Sequence, residues 1–225
     1  MSQQKHMNDP LNVDEALSSS EAFLFKNKNF ILGAVVAMVV IVCGYMGYKN
    51  FIAEPAEFKA SEAIFKGEQY FSAANYEAAL NGDSIAFAGF AKLSKEHSGT
   101  KAGNLATAYA GICCAQLGNY EEATKYLNDF NADDQLVAPA IMATMGNCYA
   151  QLGQLDKAAS TLIKAADKAN SMALSPLYLI QAGQILEKLG KSAEALEAYK
   201  LVKTKYANSY QAMDIDKYIE RASAK

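Results

Sequence analysis

The chain has 225 residues, of which 51% are hydrophobic, and its formal net charge is −3. This length accommodates about one or two domains of ordinary size. Because 21 basic residues are balanced by 24 acidic ones, the composition excludes a strongly basic nucleic-acid-binding protein, and no nucleic acid is expected as a partner.

A polar N-terminal tail, residues 1–28, precedes one apolar segment. Residues 30–48 are nineteen consecutive uncharged residues. As a helix this run is about 29 Å long, close to the roughly 30 Å hydrocarbon thickness of a bilayer. We therefore predict a transmembrane helix over residues 29–49, in contact with lipid. A buried core helix and a cleaved signal peptide are weaker alternatives, because the run has no polar face, is long, and lacks an A-x-A-like site.

Positive charges flank the apolar segment on both sides, so counting them does not settle its orientation. Lys26 and Lys28 precede it, and Lys49, Lys59 and Lys66 follow it. A short N-terminal tail followed by a large C-terminal domain is the usual signal-anchor arrangement. We therefore expect the C-terminal domain to lie outside the cytoplasm.

The sequence beyond the apolar segment repeats itself. Residues 105–127 match residues 140–162 at nine of twenty-three positions, an offset of 35, and a third copy follows 37 residues later. Each copy carries a glycine within its first helix, where glycine costs about 1 kcal/mol relative to alanine unless a second helix must approach closely. A second glycine is placed to end that helix in a left-handed cap. The glycines of the two sets are Gly111, Gly146 and Gly183, and Gly118, Gly153 and Gly190.

This spacing of small residues and turn glycines resembles the tetratricopeptide repeat (TPR). It predicts an all-α fold: one N-terminal transmembrane helix, then a TPR-like α-solenoid of helical hairpins over residues 50–225, ended by a capping helix. The predicted units are a degenerate first repeat at 58–97, clear repeats at 104–137, 139–173 and 176–208, and a cap at 209–225. The first repeat is interrupted by a turn at residues 81–84, after which we expect a helix over 85–96. The cap is predicted as a single helix over 210–224.

The resemblance implies a concave groove, lined by the first helix of each hairpin, that binds an extended peptide or a helix. The groove positions transferred from the TPR pattern are Leu105, Ala108, Ile112, Ala140, Ala143, Thr144, Asn147, Leu177, Ile180, Gln181 and Gln184. The Lys/Asn/Arg clamp that some TPR proteins use for a C-terminal carboxylate does not match, because alanine or isoleucine stands at each clamp lysine. Asn147 and Gln184 are the candidates for hydrogen bonds to a partner's backbone, unless they only face solvent.

The residues that catalysis or metal binding requires are scarce. The only histidines are His6 and His97, and no phosphate-binding glycine loop or H-E-x-x-H motif occurs. We predict no enzyme activity, no cofactor and no metal site. Cys113 and Cys148 are repeat-equivalent, and they are expected to be buried free thiols unless unusually tight packing allows a disulfide.

The order of segments along the chain is a short tail, one anchor, a broken first repeat and then TPR units. This order resembles a bacterial inner-membrane TPR family similar to the ancillary subunit of the Sec translocon. That resemblance implies a periplasmic domain whose partners are translocating or newly exported proteins, the translocon itself, or periplasmic chaperones. A coordinator of envelope or cell-wall assembly is the alternative interpretation. An enzyme with an unrecognised site is a remote third.

Overall fold

The structure is a computed structural model that describes residues 26–83 and 86–224. Within these ranges the chain forms helices and no strand, which confirms the all-α prediction. The tail up to residue 25, with His6, lies outside the described residues. The chain divides into two compact units, one ending at Pro55 and one beginning at Ala56.

The first unit contains the apolar helix. Helix α1 spans Lys28–Tyr48, within one residue of the predicted bounds, and a single π-helical turn, Lys49–Ala53, follows it. Within the part of the chain that the structure describes, no residue of α1 is buried. By length and composition this helix is able to cross a membrane.

The second unit consists of helices connected by short turns. Their bounds are α2 Glu54–Ser72, α3 Tyr76–Asn81, α4 Phe90–Glu96, α5 Lys101–Gln116, α6 Tyr120–Asp129, α7 Val137–Gln151, α8 Leu155–Ala169, α9 Ser175–Lys188, α10 Ser192–Lys205, a 3₁₀ helix Tyr210–Asp214, and α11 Ile215–Ser223. The pairs α5–α6, α7–α8 and α9–α10 each pack as a hairpin, as the three clear repeats predict.

The repeated glycines occupy the positions that helix packing requires. A Cβ atom added to Gly111, Gly146 or Gly183 would lie 2.6, 2.9 or 2.3 Å from a side chain of the second helix of the same hairpin. The contacted side chains are Leu127, Leu162 and Tyr199. The turn glycines have φ angles of +82°, +73° and +73°, the left-handed region that glycine adopts without steric cost. Both predicted roles are confirmed.

The first repeat differs from its prediction. A helix was expected to resume at residue 85, but α4 begins only at Phe90. The Asp83 carboxylate accepts hydrogen bonds from the backbone N–H groups of Ala86 and Phe87, which holds this segment in a turn. Gly89, at φ +86°, is the N-cap residue that precedes the helix. The turn carries Phe87 into the core, where its ring contacts Phe90.

The hydrophobic core consists of two clusters that meet at α7. The N-terminal cluster runs from Ala60 to Cys148, and the C-terminal cluster runs from Ala143 to Ala222.

The cap also departs from its prediction: it begins as a 3₁₀ helix rather than as part of one long helix, because the Ser209 hydroxyl accepts from the Ala212 N–H. Helix α11 still buries Ile215 against the last hairpin.

Three thiols lie in the N-terminal cluster. Cys113, Cys114 and Cys148 are all buried and free. Burial raises the pKa of Cys113 and of Cys114 to about 12, and it also raises the pKa of Cys148. These groups are therefore protonated near neutral pH and pack as small apolar side chains.

Candidate functional site

The groove positions transferred from the TPR pattern differ in their accessibility. Ala108 is buried, with 2% of its surface exposed, so it has almost no surface to offer a partner. Leu105, Ile112, Thr144 and Ile180 are half-buried, and the Thr144 hydroxyl donates to the Ala140 carbonyl. Of the remaining positions, Ala143 is buried, Gln181 is half-buried, and Ala140, Asn147, Leu177 and Gln184 are exposed.

Three of these residues come together in one concavity near the end of the repeat array. We call it the C-terminal groove; it has a volume of about 600 Å³. It is lined by Asn147 on α7, by Gln181, Gln184, Ile185, Glu187 and Lys188 on α9, and by Arg221 on α11. Because Gln181, Gln184 and Lys188 are three and four residues apart, one face of α9 presents all three to the groove.

A buried carboxylate connects the groove to the cap. The Glu187 side chain is 6% exposed, and the Arg221 guanidinium binds it with contacts of 2.6, 3.0 and 3.2 Å. The Tyr199 hydroxyl donates to the same carboxylate at 2.7 Å. Burial and this hydrogen bond raise the pKa of Tyr199, so its hydroxyl remains a donor, while the bonds to Glu187 raise the pKa of Arg221.

One amide oxygen of the groove differs from the others. The Oε1 atom of Gln181 is buried, and no protein donor in the described ranges forms a hydrogen bond with it. A buried acceptor without a donor costs about 1–3 kcal/mol, so such groups are rare in folded proteins. Because the atom is buried, a ligand in the groove does not reach it in this conformation.

The groove carries little net charge. Glu187 and Arg221 neutralise each other, which leaves the Lys188 ammonium as the one uncompensated charge among its lining residues. The remaining polar lining consists of the carboxamides Asn147, Gln181 and Gln184. Each carboxamide offers both donors and an acceptor, the complement of a peptide main chain.

Comparison with protein families assigns this architecture. Residues 21–216 match the family described as the tetratricopeptide repeat-like domain. The chain belongs to this family. A search of curated proteins found no match. The TPR-like domain supports the function of a protein–protein interaction scaffold, and TPR domains generally bind protein partners.

Sequence reasoning missed four lining residues of this TPR-like domain: Ile185, Glu187, Lys188 and Arg221. A usable signal was present, since Arg221 follows Glu187 by 34 residues, one repeat period. Helix α11 therefore takes the place of the first helix in a further repeat. Its Arg221 contacts Glu187 on α9, the first helix of the preceding repeat. The chain has no other arginine.

A second hollow of about 450 Å³ is lined by Ser94, Lys95, Ser98, Asn104, Thr107, Tyr126 and Asp129. Its Asn104 carboxamide is already occupied, because it exchanges two hydrogen bonds with the Asn131 main chain. Since that amide is engaged in holding a loop, the C-terminal groove is the better candidate for binding a partner.

Proposed function

We propose that this TPR-like protein is a non-enzymatic scaffold, anchored by α1 in the bacterial inner membrane, whose second unit lies in the periplasm. There it binds newly exported polypeptides and assists protein translocation or the envelope chaperones. The observation that carries the proposal is the pairing of an unburied apolar helix with a TPR-like domain that has a carboxamide-lined groove.

The anchor follows from the environment that α1 requires. Helix α1 has 21 residues, is unburied and has no acidic or basic residue in its interior. Exposing so much apolar surface to water is unfavourable. In a bilayer its apolar side chains contact lipid and its backbone groups are paired within the helix. Anchoring tethers the second unit to the membrane across which exported chains emerge unfolded.

The orientation is tested by proteolysis of intact and opened cells, following a C-terminal epitope. We expect proteinase K to digest the second unit once the outer membrane is permeabilised and the inner membrane is still intact. A cytoplasmic marker protein must survive under the same conditions. Digestion only after the inner membrane is breached would place the domain in the cytoplasm and overturn the proposal.

The partner is tested by photo-cross-linking in living cells. A benzophenone amino acid replaces Gln184, which is exposed in the groove, and in the matched control it replaces Lys164, which is exposed on α8 outside the groove lining. We expect pulse-labelled exported polypeptides or translocon subunits to be captured from position 184 only. Capture of cell-wall enzymes or outer-membrane assembly factors instead would support the envelope-assembly alternative, and no difference between the two positions would argue against the groove.

A further inference from the structure

The exposed apolar side chains of the helical repeats are unevenly distributed. Between residues 86 and 224, all of which the structure describes, seven large hydrophobic side chains are exposed. Six of them lie at or just before the starts of α7, α9 and α11 and are 41–81% exposed: Leu136, Val137, Met172, Leu177, Tyr210 and Met213. The seventh, Leu117, is 37% exposed and lies in the turn between α5 and α6. Single exposed apolar residues are ordinary, but such a concentration indicates a contact surface.

The six residues lie along one edge of the repeat array, which we call the apolar edge. The Lys168 ammonium near the end of α8 binds the Asp133 carboxylate in the loop before α7. The Ser175 hydroxyl at the start of α9 donates to the Ala166 carbonyl on α8. The 3₁₀ helix before α11 contacts α9 in turn. The loops and helix starts that carry the six side chains are therefore neighbours in space.

The apolar edge continues to the point where the chain enters the second unit. Asn104, in the first turn of α5, exchanges two hydrogen bonds with the main chain of Asn131 in the loop before α7. The start of α5 is capped by the Glu57 carboxylate, which accepts from the N–H groups of Lys101 and Ala102. Glu57 belongs to the first turn of α2, and a single π-helical turn separates α2 from α1 along the chain. The edge with the exposed apolar side chains is thus the edge at which the second unit is joined to the anchor.

The chemistry of the apolar edge suits lipid better than a folded partner. None of its six residues lines the C-terminal groove or the second hollow. Folded partners are held where side chains fill such concavities, whereas a fluid acyl layer adapts to individual protruding side chains. Leucine, valine and methionine gain from contact with acyl chains, and tyrosine is enriched at membrane–water interfaces.

The charges beside Leu136 are already engaged. The Asp133 carboxylate is paired with Lys168, and the Asp134 carboxylate accepts a hydrogen bond from the Leu136 N–H. The attraction expected at this edge is therefore apolar rather than electrostatic, and it requires no anionic lipid.

We propose that the apolar edge docks onto the lipid bilayer that holds α1, with Leu136, Met172, Tyr210 and Met213 inserting at the boundary between headgroups and acyl chains. The inference rests on the proposed function, from which it takes the anchor, and it adds a second membrane contact outside the C-terminal groove. Because α1 already keeps the chain at the membrane, docking needs only a modest affinity. Docking fixes the orientation of the second unit on the bilayer.

The test uses the full chain in a Cys43→Ser background, reconstituted at one copy per phosphatidylcholine nanodisc. An NBD fluorophore is attached at position 213 through Met213→Cys, or in the matched control at position 117 through Leu117→Cys, on the exposed apolar residue away from the edge. The three thiols of the N-terminal cluster are buried and stay unlabelled, and the background chain is the blank. Lipids with a doxyl group on the acyl chain quench NBD only where it enters the bilayer.

We expect doxyl lipids to quench the label at position 213 and not the label at position 117. Adding Leu136→Gln, Met172→Gln and Tyr210→Gln together should lower the ratio of docked to undocked molecules by about tenfold or more, which removes most of the quenching. The unfolding temperature should stay nearly constant, since these three side chains are at least half exposed. Replacing part of the phosphatidylcholine with phosphatidylglycerol should change the quenching little.

Equal quenching at positions 213 and 117, or quenching at 213 that survives the triple change, would overturn the inference. So would a label at 213 that lipid does not quench; if that label were shielded from aqueous iodide only in discs with two copies, the edge would be a contact between copies of this chain. Failure of the proposed function is seen separately. Without an anchor the chain would not co-elute with the nanodiscs, and without a scaffold function position 184 would give no specific cross-link.

Discussion

At the scale of single residues, Glu187 is the group whose neighbours matter most to the groove. Its side chain is 6% exposed and receives hydrogen bonds from two residues. Burying a charge is unfavourable unless hydrogen bonds and an opposite charge compensate it. The Arg221 guanidinium, itself 48% exposed, supplies that charge from the cap.

Replacing the arginine should therefore destabilise the domain. For Arg221→Met we expect a loss of about 1–3 kcal/mol in the free energy of unfolding, less than for a fully buried pair because water reaches the arginine side. Urea unfolding measures it. The double variant Glu187→Gln with Arg221→Met should recover part of the loss, since no charge is then left unpaired. If the double variant were no more stable than Arg221→Met, the unpaired Glu187 charge would not be the cause of the lost stability.

The buried thiols predict both a reactivity and a pH dependence. Because the folded domain raises the pKa of Cys113 and Cys114 to about 12, it binds their protons more tightly than the unfolded chain does. Their contribution to stability is complete below about pH 8.5 and is lost as the pH rises toward 12.

In a Cys43→Ser background, a thiol reagent at pH 8 should modify these cysteines only after urea is added. The matched measurement is the urea midpoint between pH 8 and pH 10.5, which should fall less in Cys114→Ala than in the parent. Rapid modification of the native protein would contradict the burial of these thiols.

At the scale of helices, the mid-helix glycines determine how closely each hairpin packs. The Cβ of an alanine at position 183 would lie 2.3 Å from the Tyr199 ring, a rigid and fully buried group. At position 146 the nearest atom is 2.9 Å away and belongs to the more adaptable Leu162 side chain. Overpacking costs about 1–3 kcal/mol and outweighs the roughly 1 kcal/mol that alanine gains in helix propensity.

We therefore expect Gly183→Ala to destabilise the domain more than Gly146→Ala, by about 1 kcal/mol. Gly99→Ala is the control, because nothing lies within 4 Å of its added Cβ. Calorimetric unfolding temperatures give the order. If Gly183→Ala and Gly99→Ala had the same unfolding temperature, the hairpin would be able to relax around the added methyl group, and the tight packing inferred here would be wrong.

The helices that could be predicted from sequence are those whose determinants repeat. The glycine pairs define α5 to α10, and contacts between successive repeats recur at the same spacing, as in the ion pairs Lys168–Asp133 and Lys191–Asp156, 35 residues apart. The start of α4 was missed because it depends on the Asp83 carboxylate binding backbone groups of its own turn. Such side-chain capping leaves no trace in hydrophobic periodicity.

The groove was predictable only in part, for a related reason. Asn147 and Gln184 could be transferred position by position from the repeat pattern. Arg221 follows Glu187 by one repeat period, but it belongs to a lone cap helix with no second helix to complete the pattern, so this offset was not recognised. The orphaned Gln181 oxygen depends on the exact positions of its neighbours, which no sequence pattern encodes.

At the scale of the whole second unit, two hydrophobic clusters that share only α7 suggest that its two ends unfold separately. Repeat domains are held by contacts between neighbouring units, so a perturbation weakens with distance along the array. The N-terminal end offers a specific perturbation: the Glu57 carboxylate on α2 accepts hydrogen bonds from the backbone N–H groups of Lys101 and Ala102 at 2.7 and 2.8 Å, capping α5.

Removing this cap tests whether the array is cooperative from end to end. Glu57→Ala should cost about 1 kcal/mol, since a charged acceptor at a helix N-terminus is lost. We expect hydrogen exchange to accelerate in α2 and the first turns of α5, while α9 to α11 keep their protection because their contacts belong to the other cluster. Glu62→Ala, at an exposed position on the same helix, is the control. Equal acceleration throughout the second unit would mean that α7 couples the clusters into one cooperative body, and that a partner bound at the C-terminal groove stabilises the whole array.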